Sequence, residues 1–252
     1  MVFPLLWMFR VSLLPADSSL SPGDFLSAKL SLGIYNDIIG SGGMLKYFMN
    51  SVLVGAAVTF GNILFCFLSG YSLSRYRFIG KKLCFYSVIF VLMVPAHILI
   101  IPLYLLIYKI GLYDTYGALI LPFLVNPIGI FLVKQYIDSL PPSMEEAARI
   151  DGAGELKILF RIVVPLCKPA LAVLAIQIFL TNWNSFLFPF ILTGSESLRT
   201  LPVGLALYQG HQAIDWAHLM AGSSLAVIPV LIVFLLFQRH IVSGITAGAI
   251  KQ

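Results

Sequence analysis

Charge is the scarcest thing in this sequence. Asp, Glu, Lys and Arg make up 11% of its 252 residues, against roughly 25% in soluble domains. A chain so poor in charge cannot dress a fully wetted surface, so an ordinary soluble domain is excluded. The net charge of +5 does not point to nucleic acid. The basic residues are sparse, sit in short gaps between apolar runs, and form no face with interleaved aromatics. Cysteine is also nearly missing: Cys66, Cys84 and Cys167 share no metal-ligand spacing. They read as small apolar residues and say little about redox compartment. A phosphate cradle of the form G-x-x-x-x-G-K-[ST] is missing too. Gly80-Lys81-Lys82 is the nearest likeness, without the upstream glycine or the hydroxyl. The chain does not bind ATP by that route. Nor is there an internal repeat, a low-complexity tract or a stretch that reads as a separate soluble domain.

What is there is apolar length. Residues of hydrophobic type make up 59% of the chain, and several runs reach the ~20 residues that a bilayer span needs. The expected spans are Phe48 to Leu73, Leu83 to Ile107, Gly117 to Ile137, Ala170 to Leu192 and Ala221 to Phe237. Met1 to Leu14 is apolar but short and is interrupted by Arg10, so it does not span as an ordinary helix. It lacks the basic start and the small-residue cleavage site of a signal peptide. Pro15 to Met44 is polar and rich in Ser and Gly, and reads as a connection. An all-α, polytopic transmembrane helical bundle follows, without further domains.

Orientation comes from the positive-inside rule. One set of gaps holds Arg75, Arg77, Lys81, Lys82, Lys134, Arg149, Lys157, Arg161, Lys168, Arg239 and Lys251; the other holds Arg10, Lys29, Lys46, Lys109 and Arg199. The larger set is expected to face the cytoplasm, and the C-terminus with it.

A polar stretch in that inner set carries the most information. Pro141-Pro142 stops whatever precedes it. Ser143 reads as an N-cap with Glu146 three positions on, a capping box. Glu145 and Glu146 place negative charge at the positive end of the helix dipole. Glu145 and Arg149 stand four apart in the favourable order, and Gly152 fits the stop position. The prediction is a short helix from about Met144 to Asp151. After it, Leu156, Leu159, Phe160 and Val163 share a helical face, and Pro165 and Pro169 are expected to break the chain before the next span. A short helix braced against a membrane helix can pass a rigid-body push into the bilayer.

Written as E-A-A-x3-G-x9-I-x-L-P, this stretch resembles the cytoplasmic loop signature of ABC-importer permease subunits. Here it reads Glu146-Ala147-Ala148, Gly152, Ile162 and Pro165, with Val164 where the family usually has Leu. The chain looks like the carbohydrate-type permeases of maltose and glycerol-phosphate importers, from about Leu45 to the C-terminus. The resemblance implies a type I ABC importer permease core with five full spans plus a truncated first span. The related permeases begin with a basic cytoplasmic tail and a complete first span. Either the start codon is misplaced here or the span is truncated. It further implies three partners: an ATPase subunit dimer inside, a second homologous permease and an extracytoplasmic solute-binding protein. No cofactor is expected on this chain, ATP and Mg belonging to the ATPase. The loop, about 141–165, would be the coupling helix, with Glu145, Glu146, Ala147, Ala148, Asp151 and Gly152 as its contact residues. Glu146 capping its own helix is an equal and compatible reading. The layout is one permease domain over 1–252: about 1–44 for the truncated span and outer loop, 45–242 for the core and 243–252 for a cytoplasmic tail. The tail is read either as reaching toward the ATPase or as a frayed end.

Other polar residues are candidates for the solute path. Gln177, Thr181, Asn182, Trp183, Asn184 and Ser185 open the expected Ala170 to Leu192 span. Uncharged amides at membrane depth need a neighbouring helix or a wet cavity. Trp-Asn here also resembles the family, whose helix lines the path. Amides would bond sugar hydroxyls and an aromatic ring would stack on a sugar face, the alternative being helix–helix contact. Asn126 beside Pro127 is a weaker candidate. His97 after Pro95 is read as a neutral histidine bonded to a freed carbonyl. His211, Asp215 and His218 are read as outer surface rather than as a metal site, and Trp216 as an interface anchor.

The reading is a permease subunit of a bacterial ABC sugar importer, multi-pass in the cytoplasmic membrane, with no chemistry of its own. An ABC permease for a non-sugar solute is the nearer alternative. An ion-coupled transporter would carry charge within its spans, and these carry almost none. An intramembrane serine protease would need a paired Ser and His at depth. Ser223 and Ser224 lie near the outer mouth, with His218 outside the span.

Overall fold

A computed structural model describes residues 3–15, 30–40, 43–208 and 215–249, with side chains to residue 235. Among the described residues all regular structure is helical. Four helices are long and apolar enough to cross a membrane: Gly43–Arg75, Tyr116–Asp138, Glu155–Trp183 and Trp216–Leu235. A bent pair, Lys81–Leu92 and Ala96–Lys109, makes a fifth if it counts as one span. The helices are named α1 (Phe3–Val11), α2 (Gly33–Gly40), α3 (Gly43–Arg75), α4 (Lys81–Leu92), α5 (Ile100–Lys109), α6 (Tyr116–Ile120), α7 (Pro127–Asp138), α8 (Ser143–Ile150), α9 (Glu155–Trp183), α10 (Leu187–Leu192), α11 (Leu201–Ala206) and α12 (Trp216–Ala249).

Several expectations need correcting. The Pro15 to Met44 connection contains α2, because Ile34 and Ile38 stand four apart and both are buried. Ser12 and Tyr35 hydroxyls, 2.8 Å apart, hold it against the end of α1. The expected span Leu83 to Ile107 is bent by 93° between Leu92 and Ala96. Pro95 has no N–H to give and disfavours helical geometry in Val94, so the helix restarts as a 3₁₀ turn, Ala96–Leu99, which carries His97. Pro165 and Pro169 do not break the chain: α9 runs through both. A π turn, Leu159–Val163, precedes Pro165, with Val164 N–H bonding Leu159 C=O. The widened turn takes up the missing donor and the ring. The expected Ala170 to Leu192 span instead ends at Trp183, and Leu187–Leu192 is a separate helix.

The chain forms two compact units. One draws its described residues from Met1–Val54, Leu106–Leu119 and Trp183–Leu235. Its polar centre joins the start of α3 to the segment after α10. Tyr47 donates to Glu196 Oε1 at 2.8 Å, and Asn50 Nδ2 donates to the carbonyls of Ser197 and Arg199. Tyr116 donates to Asn50 Oδ1, and Leu201 N–H to Ser51 Oγ. The buried Asn50, Ser51 and Tyr47 side chains thus find partners, as buried polar groups must.

The other unit is drawn from Gly55–Leu105, Ile120–Asn182 and Leu236–Gln252. Here α3, α7 and α9 approach closely. A Cβ on Gly129 would lie 2.9 Å from both Cys66 Sγ and Leu174 Cδ1, so small residues set the spacing as in membrane helix pairs. Asn62 Nδ2 donates to Phe123 C=O at 2.7 Å, and Cys66 Sγ to Asn126 C=O at 3.3 Å. Both cap carbonyls where α6 gives way to α7. On the opposite side, α3 leaves Phe60, Leu64, Phe65 and Leu68 exposed.

Candidate coupling site

The short polar helix forms, though it starts differently from the expectation. Its N-cap is Pro142, at φ −66° and ψ −21°, with no side-chain cap bond. The proline ring already holds helical φ, so Ser143 enters the first turn and no capping box forms. The Pro142 carbonyl accepts from the N–H groups of Glu145 and Glu146. The stop is as expected. Gly152 has φ +78°. Its N–H bonds Arg149 C=O at 3.0 Å, and Ala153 N–H bonds Ala148 C=O at 2.9 Å. That pair of bonds is a Schellman turn, which needs a left-handed residue at the glycine position.

The two adjacent glutamates part company. Glu145 is buried, at 4% exposure. Its Oε1 accepts from Arg75 Nε at 2.6 Å and its Oε2 from Tyr71 OH at 3.1 Å. Arg75 also donates to Leu140 C=O at 3.0 Å. The expected Glu145–Arg149 pair is loose, at 4.0 Å. Arg149 turns instead to Glu155 in a two-pronged contact of 2.8 and 3.1 Å. That carboxylate pushes the guanidinium of Arg149 further above its ordinary value. Tyr76 OH donates to Glu155 as well. Burial and then the Glu155 charge raise the Tyr76 phenol. Thus α8 is tied backward to the end of α3 and forward to the start of α9.

The other face of α8 is bare. Glu146, Ala147, Asp151 and Gly152 are exposed and Ala148 is half-buried. Ile150 is 87% exposed, an apolar side chain left uncovered by the described residues. A Cβ at Gly152 would meet no atom within 4 Å. The surface is low, mixed in chemistry and rigidly backed. Glu145 does not offer its charge outward, contrary to expectation. Its local signals match those of Glu146, and only the position of Arg75 separates them.

The solute-path candidates scatter. Gln177 and Thr181, four apart on α9, are exposed, as is Asn184 just past its end, while Asn182 is half-buried. These residues close α9 rather than open a span. Trp183 is buried at 3% exposure. Its Nε1 donates to Ala226 C=O at 3.1 Å, and its ring meets Phe48 edge-on at 5.6 Å. The ring presents no face on which a sugar could stack, which corrects that expectation. Asn126 caps α7, accepting from Ile128 N–H at 2.9 Å. Ser224 donates to Met220 C=O on its own helix. His218 Nδ1 sits 2.7 Å from Asp215 and its ring stacks on Tyr208; His211 lies outside the described residues.

One centre had not been read from the sequence. Asp114 stands at φ +59°. Its Oδ1 accepts from Gly194 N–H, Ser195 N–H and Ser195 Oγ–H, at 2.9 to 3.0 Å. These donors, Ser195 N–H foremost, hold its carboxyl below the usual range. The available signal was Tyr113-Asp114-Thr115 after Gly111, since aspartate tolerates left-handed geometry and turns chains.

The chain thus combines an apolar multi-span body with a braced polar loop. The family model described as "Binding-protein-dependent transport system inner membrane component" matches residues 62–247. The chain belongs to this family. This inner membrane component is 35% identical over 254 residues to the arabinooligosaccharides transport system permease protein AraQ of Bacillus subtilis, covering 99% of this chain and 90% of the relative. It is 36% identical over 255 residues to the trehalose/maltose transport system permease protein MalG of Thermococcus litoralis, covering 99% and 91%. Among solved structures, one of a bacterial ABC transporter involved in the import of the acidic polysaccharide alginate superposes with a TM-score of 0.83. It is 24% identical and covers 94% of this chain and 90% of that one. The fold is that of an ABC transporter permease, and the chain is a multi-pass membrane protein.

Proposed function

We propose that this chain is the permease subunit of an ABC importer that carries a sugar or sugar derivative across the bacterial cytoplasmic membrane. In this reading it forms half of the pore and a second, homologous permease forms the other half. An ATPase dimer binds inside and supplies ATP and Mg, and a solute-binding protein delivers solute outside. Relatives named for arabinooligosaccharides, trehalose or maltose support the solute class.

The observation that carries the coupling role is the geometry of α8. One face is pinned by Arg75 and Glu155, and the other is bare around Ile150 and Gly152. A cleft on the ATPase would receive Glu146, Ala147, Ile150, Asp151 and Gly152, with Ala148 at the edge and Glu145 holding the helix from behind. The excess of basic residues on this side supports a cytoplasmic position for α8, the 141–165 loop and the 243–252 tail. Gln177, Asn182 and Asn184 remain candidates to line the path, with Asn126 and Trp183 shaping the helices around it. The segment 193–200, held by Asp114, Tyr47 and Asn50, would face the binding protein. The test is purification through this chain from its native membrane. The expected result is recovery with an ATPase and a second permease. Recovery of the chain alone from an intact membrane extract would overturn the proposal.

A further inference from the structure

We infer that the enclosed pair Arg75–Glu145, with Tyr71, is the joint that carries motion from α8 into the membrane, distinct from the surface on which a partner docks. The inference rests on the coupling role proposed above. Glu145 is the first-turn carboxylate of α8, and Arg75 is the last residue of α3. α3 has 33 residues, so it is about 50 Å long at 1.5 Å per residue. It is the rod to which the short helix is fastened. Apart from this group, the hydrogen-bonded route from the end of α3 to α8 is the exposed chain Tyr76–Glu155–Arg149.

Three facts single out this contact. First, it is enclosed: the Arg75 and Glu145 side chains are 15% and 6% exposed, whereas Arg149 and Glu155 are 41% and 50% exposed. Solvent screens the exposed pair more than the enclosed one. Second, it is cross-braced. Both carboxylate oxygens are used, by Arg75 and Tyr71, and the guanidinium also holds Leu140 C=O. A pair held by these three bonds cannot slide without breaking one of them. Third, it points away from the bare face. Glu146 and Ile150 remain outward whether or not the pair is made. Docking and transmission are thus served by neighbouring residues on opposite sides of one helix. A push on Ile150 and Gly152 loads the Glu145 carboxylate, and Arg75 passes that load to the end of α3.

The prediction is a separation of hydrolysis from transport. The assembled complex, purified through this chain, is placed in vesicles, and uptake per ATP hydrolysed is measured. Radiolabelled maltotriose, trehalose and arabinotriose are offered in turn, and the one that the unaltered complex takes up is used. Glu145→Gln and Arg75→Gln should keep the co-purified ATPase and its hydrolysis, while solute moved per ATP falls by about fivefold or more, the scale of a coupling free energy. The exchange R75E with E145R should restore part of the ratio. Tyr71→Phe removes one brace and keeps the fold. It should give an intermediate ratio, and it decides the matter if the charge variants fail to insert. An unchanged ratio in Tyr71→Phe and in whichever charge variants assemble would overturn the inference. Loss of the ATPase from these variants would also overturn it, because the pair would then serve docking. If the unaltered chain brings down no ATPase, the proposed coupling role itself fails, which is a different result.

Discussion

Gly152 allows backbone and surface to be separated. The residue sits at φ +78°, where an L side chain costs about 1–2 kcal/mol. A Cβ there would meet nothing within 4 Å in this chain. Gly152→Ala therefore adds strain and almost no bulk. Gly152→Asn and Gly152→Asp add bulk, yet these side chains tolerate the left-handed region. Gly152→Val adds both. A cost of 1–2 kcal/mol is roughly a factor of 5–30 in a local equilibrium, and it should appear in the hydrogen exchange of Ala153 N–H, which bonds Ala148 C=O at 2.9 Å. The expected exchange order is Gly and Asn slowest, then Ala, then Val. If a partner fills the empty space beside Gly152, uptake follows a different order. Ala should then retain most ATP-dependent uptake in vesicles, whereas Asn and Asp lose it and co-purify with less ATPase. The reasoning is refuted if Gly152→Asp takes up solute normally, or if uptake tracks the exchange order with ATPase content constant. Gly152 would then be a helix stop and nothing more.

Other substitutions test other parts. Asp114→Ala leaves the Gly194 and Ser195 N–H groups without their acceptor, at a cost toward the lower end of about 1–3 kcal/mol because the site is partly wetted. Hydrogen exchange across 193–200 should rise. Since hydrogen bonding lowers the folded-state value of Asp114, its contribution is present above the ordinary Asp range and is lost as pH falls through the depressed value. The exchange difference between Asp114→Ala and the unaltered chain should shrink at such low pH and stay constant at neutral pH. Gly129→Val puts carbon against Cys66 and Leu174 and should lower the thermal midpoint in detergent, by overpacking of about 1–3 kcal/mol. An unchanged midpoint would show that α3, α7 and α9 part easily. Trp183→Phe removes the bond to Ala226 C=O, worth about 1 kcal/mol. It should lower that midpoint slightly and leave the KM for uptake unchanged, while Gln177→Ala or Asn184→Ala raises the KM. A KM that moves with Trp183 alone would return the ring to the path.

Local chemistry and composition carried a large part of the answer. Apolar runs of span length exist because a bilayer core solvates no polar side chain, so composition alone declares them. The α8 stretch was legible for a similar reason. Pro141-Pro142 and Gly152 act through their own backbone geometry, and no distant residue is needed to understand them. The family pattern Glu146-Ala147-Ala148 to Pro165 is likewise a matter of order along the chain.

What stayed hidden depended on contacts between residues far apart. Glu145 and Glu146 have the same side chain, the same helix end and the same dipole. One is buried and one is bare because Arg75 arrives on one side only. The Trp183 ring, read as a wall for sugar, turns inward because Ala226 supplies a carbonyl and Phe48 an edge. Prolines misled in both directions. Pro95 accompanies a bend of 93°, while Pro165 follows a π turn and Pro169 lies inside a continuing helix. A proline removes the same N–H in every case, and its surroundings decide whether the chain turns or absorbs the loss. Sequence alone therefore determined that apolar helices of span length are present and that a short polar lever helix stops at Gly152. Only the tertiary structure decided which side of that lever is fastened, because burial is a property of neighbours and not of the residue itself.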